Sequence, residues 1–92
     1  MANAIITIKI MPKDPSIDLK KIEDEAQSLL NTLVGEGDRK VEIEPIAFGL
    51  KAINLTFVVD EKKGSADPIA EQISRIEGVQ SAEVTDVRRA IG

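Results

Sequence analysis

The chain has 92 residues with 16 acidic against 12 basic, a net charge of −4 and 42% hydrophobic residues. It holds no Cys, His, Trp or Tyr, which removes disulfides, thiolate metal sites, imidazole ligands and the usual histidine-based acid–base constellations. The acidic balance opposes nonspecific nucleic-acid binding, no run approaches the ~18 apolar residues of a membrane span, and the N-terminus lacks a signal-peptide pattern, so one cytoplasmic domain over residues 1–92 is expected.

In chain order, "AIITIKIM" (residues 4–11) places Ile6, Ile8 and Ile10 on one face and Thr7 and Lys9 on the other, which reads as a strand with one buried face. "PKDPSID" then interrupts it with two prolines and offers polar helix caps. From Ile17 to Val34 the period changes, and Leu19, Ile22, Ala26, Leu29 and Leu33 trace one helical stripe. Glu23, Asp24 and Glu25 fall mostly off that stripe and read as a solvated face, and Gly35 supplies the stop.

"KVEIEPI" alternates again as a second strand, and Pro45, which cannot donate to a ladder, assigns it to a sheet edge. Ile53, Leu55, Phe57 and Val59 form the inner row of a third strand. After "DEKKGSADP", Asp67 is expected to cap a second helix with Pro68 at its first position. Ile69, Ile73 and Ile76 make its stripe, Gly78 closes it, and "VQSAEVTDV" supplies the last strand.

The order βαββαβ, two βαβ-like halves with a weak pseudo-repeat, predicts an α+β ferredoxin-like fold. Its antiparallel sheet has order 4-1-3-2, with both helices on one face. The turn between the second and third strands is expected at the same end of the sheet as the finish of the fourth. That would set Phe48 within two or three strand spacings of ~4.8 Å from the C-terminal "VRRAIG".

Several functions of such a fold lack their residues here. RNA recognition needs aromatics on the central strands, and only Phe57 is available, facing with the apolar row. Heavy-metal carriage needs cysteines. "MPKDPSID" is no phosphate cradle, and "GEGDRK" lacks the length and Lys-Ser/Thr ending of a P-loop. Carboxylate sites for magnesium or calcium stay open in principle, but no metal site and no cofactor is identified. Phe48 sits where the alternation breaks, beside Gly49, as either a stray core residue or a side chain presented outward.

"PIAFGLKAINLTFVVDEKKG" and "IEGVQSAEVTDVRRAIG" resemble the elongation factor 1-beta family, in its short archaeal form, over essentially the whole chain. The resemblance implies guanine-nucleotide exchange on elongation factor 1-alpha in translation elongation, by protein–protein contact without bond-making chemistry. It makes Phe48 of the "PI-x-F-G" run a partner contact, with Gly49 and Lys51 beside it. Aligned on Val79-Gln80-Ser81, Arg89, with Arg88 before it, takes the place of a lysine that in eukaryotic relatives intrudes at the partner's magnesium site. Arginine there departs from the family pattern, being a planar fork rather than a compact ammonium. The protein is expected to be monomeric when free. The bland counterparts are a turn glycine at Gly49, an exposed edge residue at Lys51 and a frayed terminus at Arg88 and Arg89. The alternative function is a small-ligand-binding or regulatory domain of the same fold.

Overall fold

The computed structural model describes residues 3–35, 37–60 and 66–90. Its elements are β1 (Asn3–Pro12), α1 (Leu19–Val34), β2 (Arg39–Pro45), β3 (Lys51–Asp60), α2 (Asp67–Ser74) and β4 (Val79–Ala90). The four strands form one antiparallel sheet in the order β2-β3-β1-β4, which is the ferredoxin-like arrangement. Pro45 does end an edge strand.

Strict alternation in β1 sends Ile6, Ile8 and Ile10 to one side, where all three are buried. β3 lies antiparallel against it and contributes Ile53, Leu55 and Phe57 to the same layer. The helices close that layer with Ile22, Ala26 and Leu30 from α1 and Ile69, Ala70 and Ile73 from α2. No polar side chain is buried among the described residues. The core is thus stabilised by aliphatic burial, about 1.5–3 kcal/mol for each large side chain taken from water.

The stripe of α1 is as expected at Ile22 and Ala26, with Leu19 and Leu29 partly buried against the core, and departs only at its end. Its buried line is Ile22, Ala26 and Leu30, while Leu33 stays 41% exposed at the open end of the helix. Asp18 is the N-cap, its carboxylate accepting from Lys20 N at 3.0 Å and Lys21 N at 3.4 Å. At the other end Arg39 donates to the Gly35 carbonyl at 2.6 Å and to the Asn31 side chain, tying the start of β2 to the helix end. In α2 the expected cap moves by one residue. Ala66 is the N-cap without a side-chain bond, Asp67 is the first helical residue and Pro68 follows it.

β4 runs further than the sequence suggested. It pairs with β1 through Arg88 opposite Ile5 and Arg89 opposite Ala4, so both arginines belong to a strand. A register shift between Thr7 and Ile8 leaves Thr85 as an extra residue, a β-bulge. The bulge lets Val84 and Val87, three apart, pair with the inward-facing Ile8 and Ile6.

The topology also corrects the expected neighbourhood of Phe48. β4 is antiparallel to β1, so it starts beside Pro12 and finishes beside Asn3. The β2–β3 turn follows Pro45 and precedes Lys51, beyond the Ile10–Ile53 pair, at the Pro12 end. Phe48 and the arginines therefore stand at opposite ends of the sheet.

Gly78 locks the Pro12 end. Its φ is 92° and a Cβ there would meet Ile17 Cγ2 at 3.1 Å, so only glycine closes this turn without strain. Its carbonyl accepts from Lys13 N at 2.9 Å.

Two outcomes follow from this packing. Phe57→Ala should lower unfolding stability by about 3–5 kcal/mol in chemical denaturation, the range for an aromatic removed from a closed core. The second concerns pH. Bonds first from the Ser16 hydroxyl and then from its backbone N–H hold the Asp14 carboxyl below its ordinary 3.8. Its stabilising contribution is present above that value and is lost as pH falls through the lowered one. Glu23 and then Asp24 raise the Lys20 ammonium above 10.5, so its contribution holds below that value and is lost as pH rises through the raised one. With no histidine in the chain, the melting temperature should be flat from about pH 5 to 9, and a step near pH 6.5 would contradict this account.

Candidate functional site

The β2–β3 connection is a two-residue hairpin turn. Leu50 N donates to the Ala47 carbonyl at 3.2 Å and Ile46 N to the Leu50 carbonyl at 2.7 Å. The two central residues, Phe48 and Gly49, have φ of 61° and 79°, the signature of a type I′ turn, which follows the twist of the flanking strands. Glycine or asparagine normally takes the first position. A phenylalanine in the left-handed region costs about 1–2 kcal/mol of backbone strain.

Phe48 is the only described non-glycine residue with positive φ, and its side chain is 95% exposed. The core alternative is thereby removed: the ring contributes no burial to offset the strain of its backbone. Bulky residues held at such angles point to a site more often than to packing.

Beside this turn lies an open cleft of about 390 Å³ between the turn and the β1–α1 loop. Lys51 and Gly49 form its strand wall, while Asp14, Pro15 and Asp18 belong to the opposite wall. The Asp14 carboxylate accepts from Ser16 N at 2.8 Å and from Ser16 Oγ at 2.5 Å, which fixes the loop from within.

The opposite end carries the arginines. Arg88 lies across from Ile5 on the sheet face away from the helices, and its Nε is 2.8 Å from Asp86 Oδ2. Arg89 lies across from buried Ala4, on the helix side. Val87, 59% exposed, shares that helix side. Seven residues of β1 separate the level of Arg88 from that of Val79, roughly 23 Å at ~3.3 Å per residue. Phe48, Gly49 and Lys51 are thus brought together, and Arg88 and Arg89 are not brought to them.

Val87 and the bulge were missed in sequence reasoning, although the three-residue spacing of Val84 and Val87 already broke the period of two. No cluster of three or more acidic side chains that could hold a metal ion occurs among the described residues, and no helix among them is long and apolar enough to cross a membrane.

These features define a ferredoxin-like domain whose distinctive side chains are displayed at the two ends of its sheet rather than gathered in a pocket. Residues 5–90 match the model of the EF-1 guanine nucleotide exchange domain, and the chain belongs to that family. It is 43% identical over 89 residues to elongation factor 1-beta of Methanothermobacter thermautotrophicus, covering 97% of this chain and 98% of that protein. To elongation factor 1-beta of Methanosphaera stadtmanae it is 39% identical over 89 residues, with the same coverage. To that of Pyrococcus abyssi it is 39% identical over 88 residues, covering 95% and 94%. Membership gives the chain a role in guanine-nucleotide exchange during translation elongation.

The turn geometry makes a stability prediction. Phe48→Asn removes a strained, unburied ring and should raise stability by about 1 kcal/mol, or about 4–8 °C in melting temperature. A fall of several degrees would mean that Phe48 packs against the fold.

Proposed function

We propose that this protein accelerates release of GDP from elongation factor 1-alpha so that GTP can rebind. It acts as one domain, by protein–protein contact and without bond-making chemistry. The carrying observation is Phe48, a fully displayed ring on a left-handed backbone. Burying that ring in a pocket of the partner supplies ~1.5–3 kcal/mol of affinity.

The arginine end supplies the disruption. Arg89, in the position of the family lysine, brings positive charge toward the partner's magnesium site, where the ion offsets the charge of the nucleotide phosphates. Arg88 lies on the other face of the strand, bonded to Asp86, and it is the alignment with the family lysine that favours Arg89 for this task. Because the two ends are a sheet length apart, the partner is engaged at two separate places.

Two-point contact suits an exchange factor. Whatever weakening of GDP the factor achieves, GDP imposes equally on the factor in the ternary complex. The ring end holds the partner while the arginine end acts on nucleotide affinity.

The test is release of a fluorescent GDP preloaded on elongation factor 1-alpha. Wild-type protein at stoichiometric concentration should accelerate release, and no acceleration would overturn the reading. Phe48→Ala should raise the half-saturating concentration roughly 10- to 100-fold. Arg89→Ala should lower the saturating rate more than Arg88→Ala does, with thermal stability nearly unchanged in all three variants.

A further inference from the structure

We propose that the cleft beside Phe48 is the second half of the same docking site, and that Lys51 there receives a carboxylate from the rim of the partner's pocket. This inference rests on the exchange reading above and names the chemistry the partner must present at that end.

Four charged side chains line the cleft: Asp14, Asp18, Lys20 and Lys51. Three are committed within the molecule. Asp14 is held by Ser16, Asp18 caps α1, and Lys20 bridges Glu23 at 3.1 Å and Asp24 at 3.3 Å. Of these four, the Lys51 side chain alone makes no hydrogen bond or ion pair with the described residues. It is exposed and follows the strained turn directly, with Pro45 opposite it on β2. An unpaired ammonium in an acidic chain, set three residues from the most exposed apolar side chain, marks one end of the molecule for an apolar pocket with an acidic rim.

The walls also determine orientation. Gly49 faces the Pro15 ring at 3.9 Å from where its Cβ would stand, so the turn rests on the loop. Asp14, kept ionised by Ser16, makes the loop wall negative. A partner carboxylate is repelled there and attracted to the strand wall, so only one way of seating Phe48 satisfies both. The cleft thus contributes discrimination as well as attraction.

Affinity for nucleotide-free elongation factor 1-alpha, measured by titration at several sodium chloride concentrations, tests this. Lys51→Met should weaken binding about threefold and Lys51→Glu about tenfold or more, and both should flatten the salt dependence. Lys51→Arg should restore most of the affinity, and all three should melt with the wild-type protein. If the Met and Glu variants bind within twofold of wild type with an unchanged salt slope while Phe48→Ala is impaired, the carboxylate contact is wrong and the exchange reading stands. If Phe48→Ala is also unimpaired in binding and exchange, both are wrong.

Discussion

The structure depends on the double pairing of its central strand. β1 bonds to β3 on one side and β4 on the other, both antiparallel, while Ile6, Ile8 and Ile10 sit fully covered beneath the helices. No polar group among the described residues interrupts that layer. Sliding either neighbour by one residue would turn its apolar row to water, so the register of both is strongly held. That register decides which residues meet at each end of the sheet: the β2–β3 turn at the Pro12 end, and the last residues of β4 beside Asn3 and Ala4.

In the proposed mode of exchange the sheet serves as a rigid spacer. A displayed ring and a pair of arginines are separated by the length of β1, and the sheet between them has little freedom to change that distance. An activity needing both must reach across the partner rather than concentrate at one spot. The ring's own cost reinforces this. A type I′ turn that spends strain on an exposed phenylalanine is less stable than one with asparagine, a trade expected where a side chain is kept for contact rather than for folding. The adjacent cleft, with its self-satisfied loop wall and unpaired Lys51, extends the same surface.

Most of the fold was legible in the residues. Alternation identified β1, β2 and β3, the period change identified α1, and Pro45 identified an edge. The departures have local physical causes. In α1, Leu30 is buried while Leu33, near the C-terminal end of the helix, stays 41% exposed, a difference the helical period does not contain. In β4 the bulge at Thr85 absorbs one residue, so alternation read straight through it assigns faces wrongly. Phe48 and the arginines do not meet because β4 runs antiparallel to β1 and finishes beside Asn3, at the end of the sheet opposite the β2–β3 turn.

The sequence by itself determined the element order, the edge strand, the aliphatic core and, through its family signature, the exchange role. These rest on short-range patterns: side-chain period, turn chemistry and motif. Only the tertiary structure decided that Phe48 stands outside the core on a left-handed turn. It also decided that Arg88 and Arg89 occupy opposite faces of β4, and that Lys51 opens onto a cleft shared with the β1–α1 loop. The turn is closed by the pairing of β2 with β3, the placement of the arginines by the pairing of β4 with β1, and the cleft by the approach of the β1–α1 loop to the turn, none of which side-chain period alone encodes.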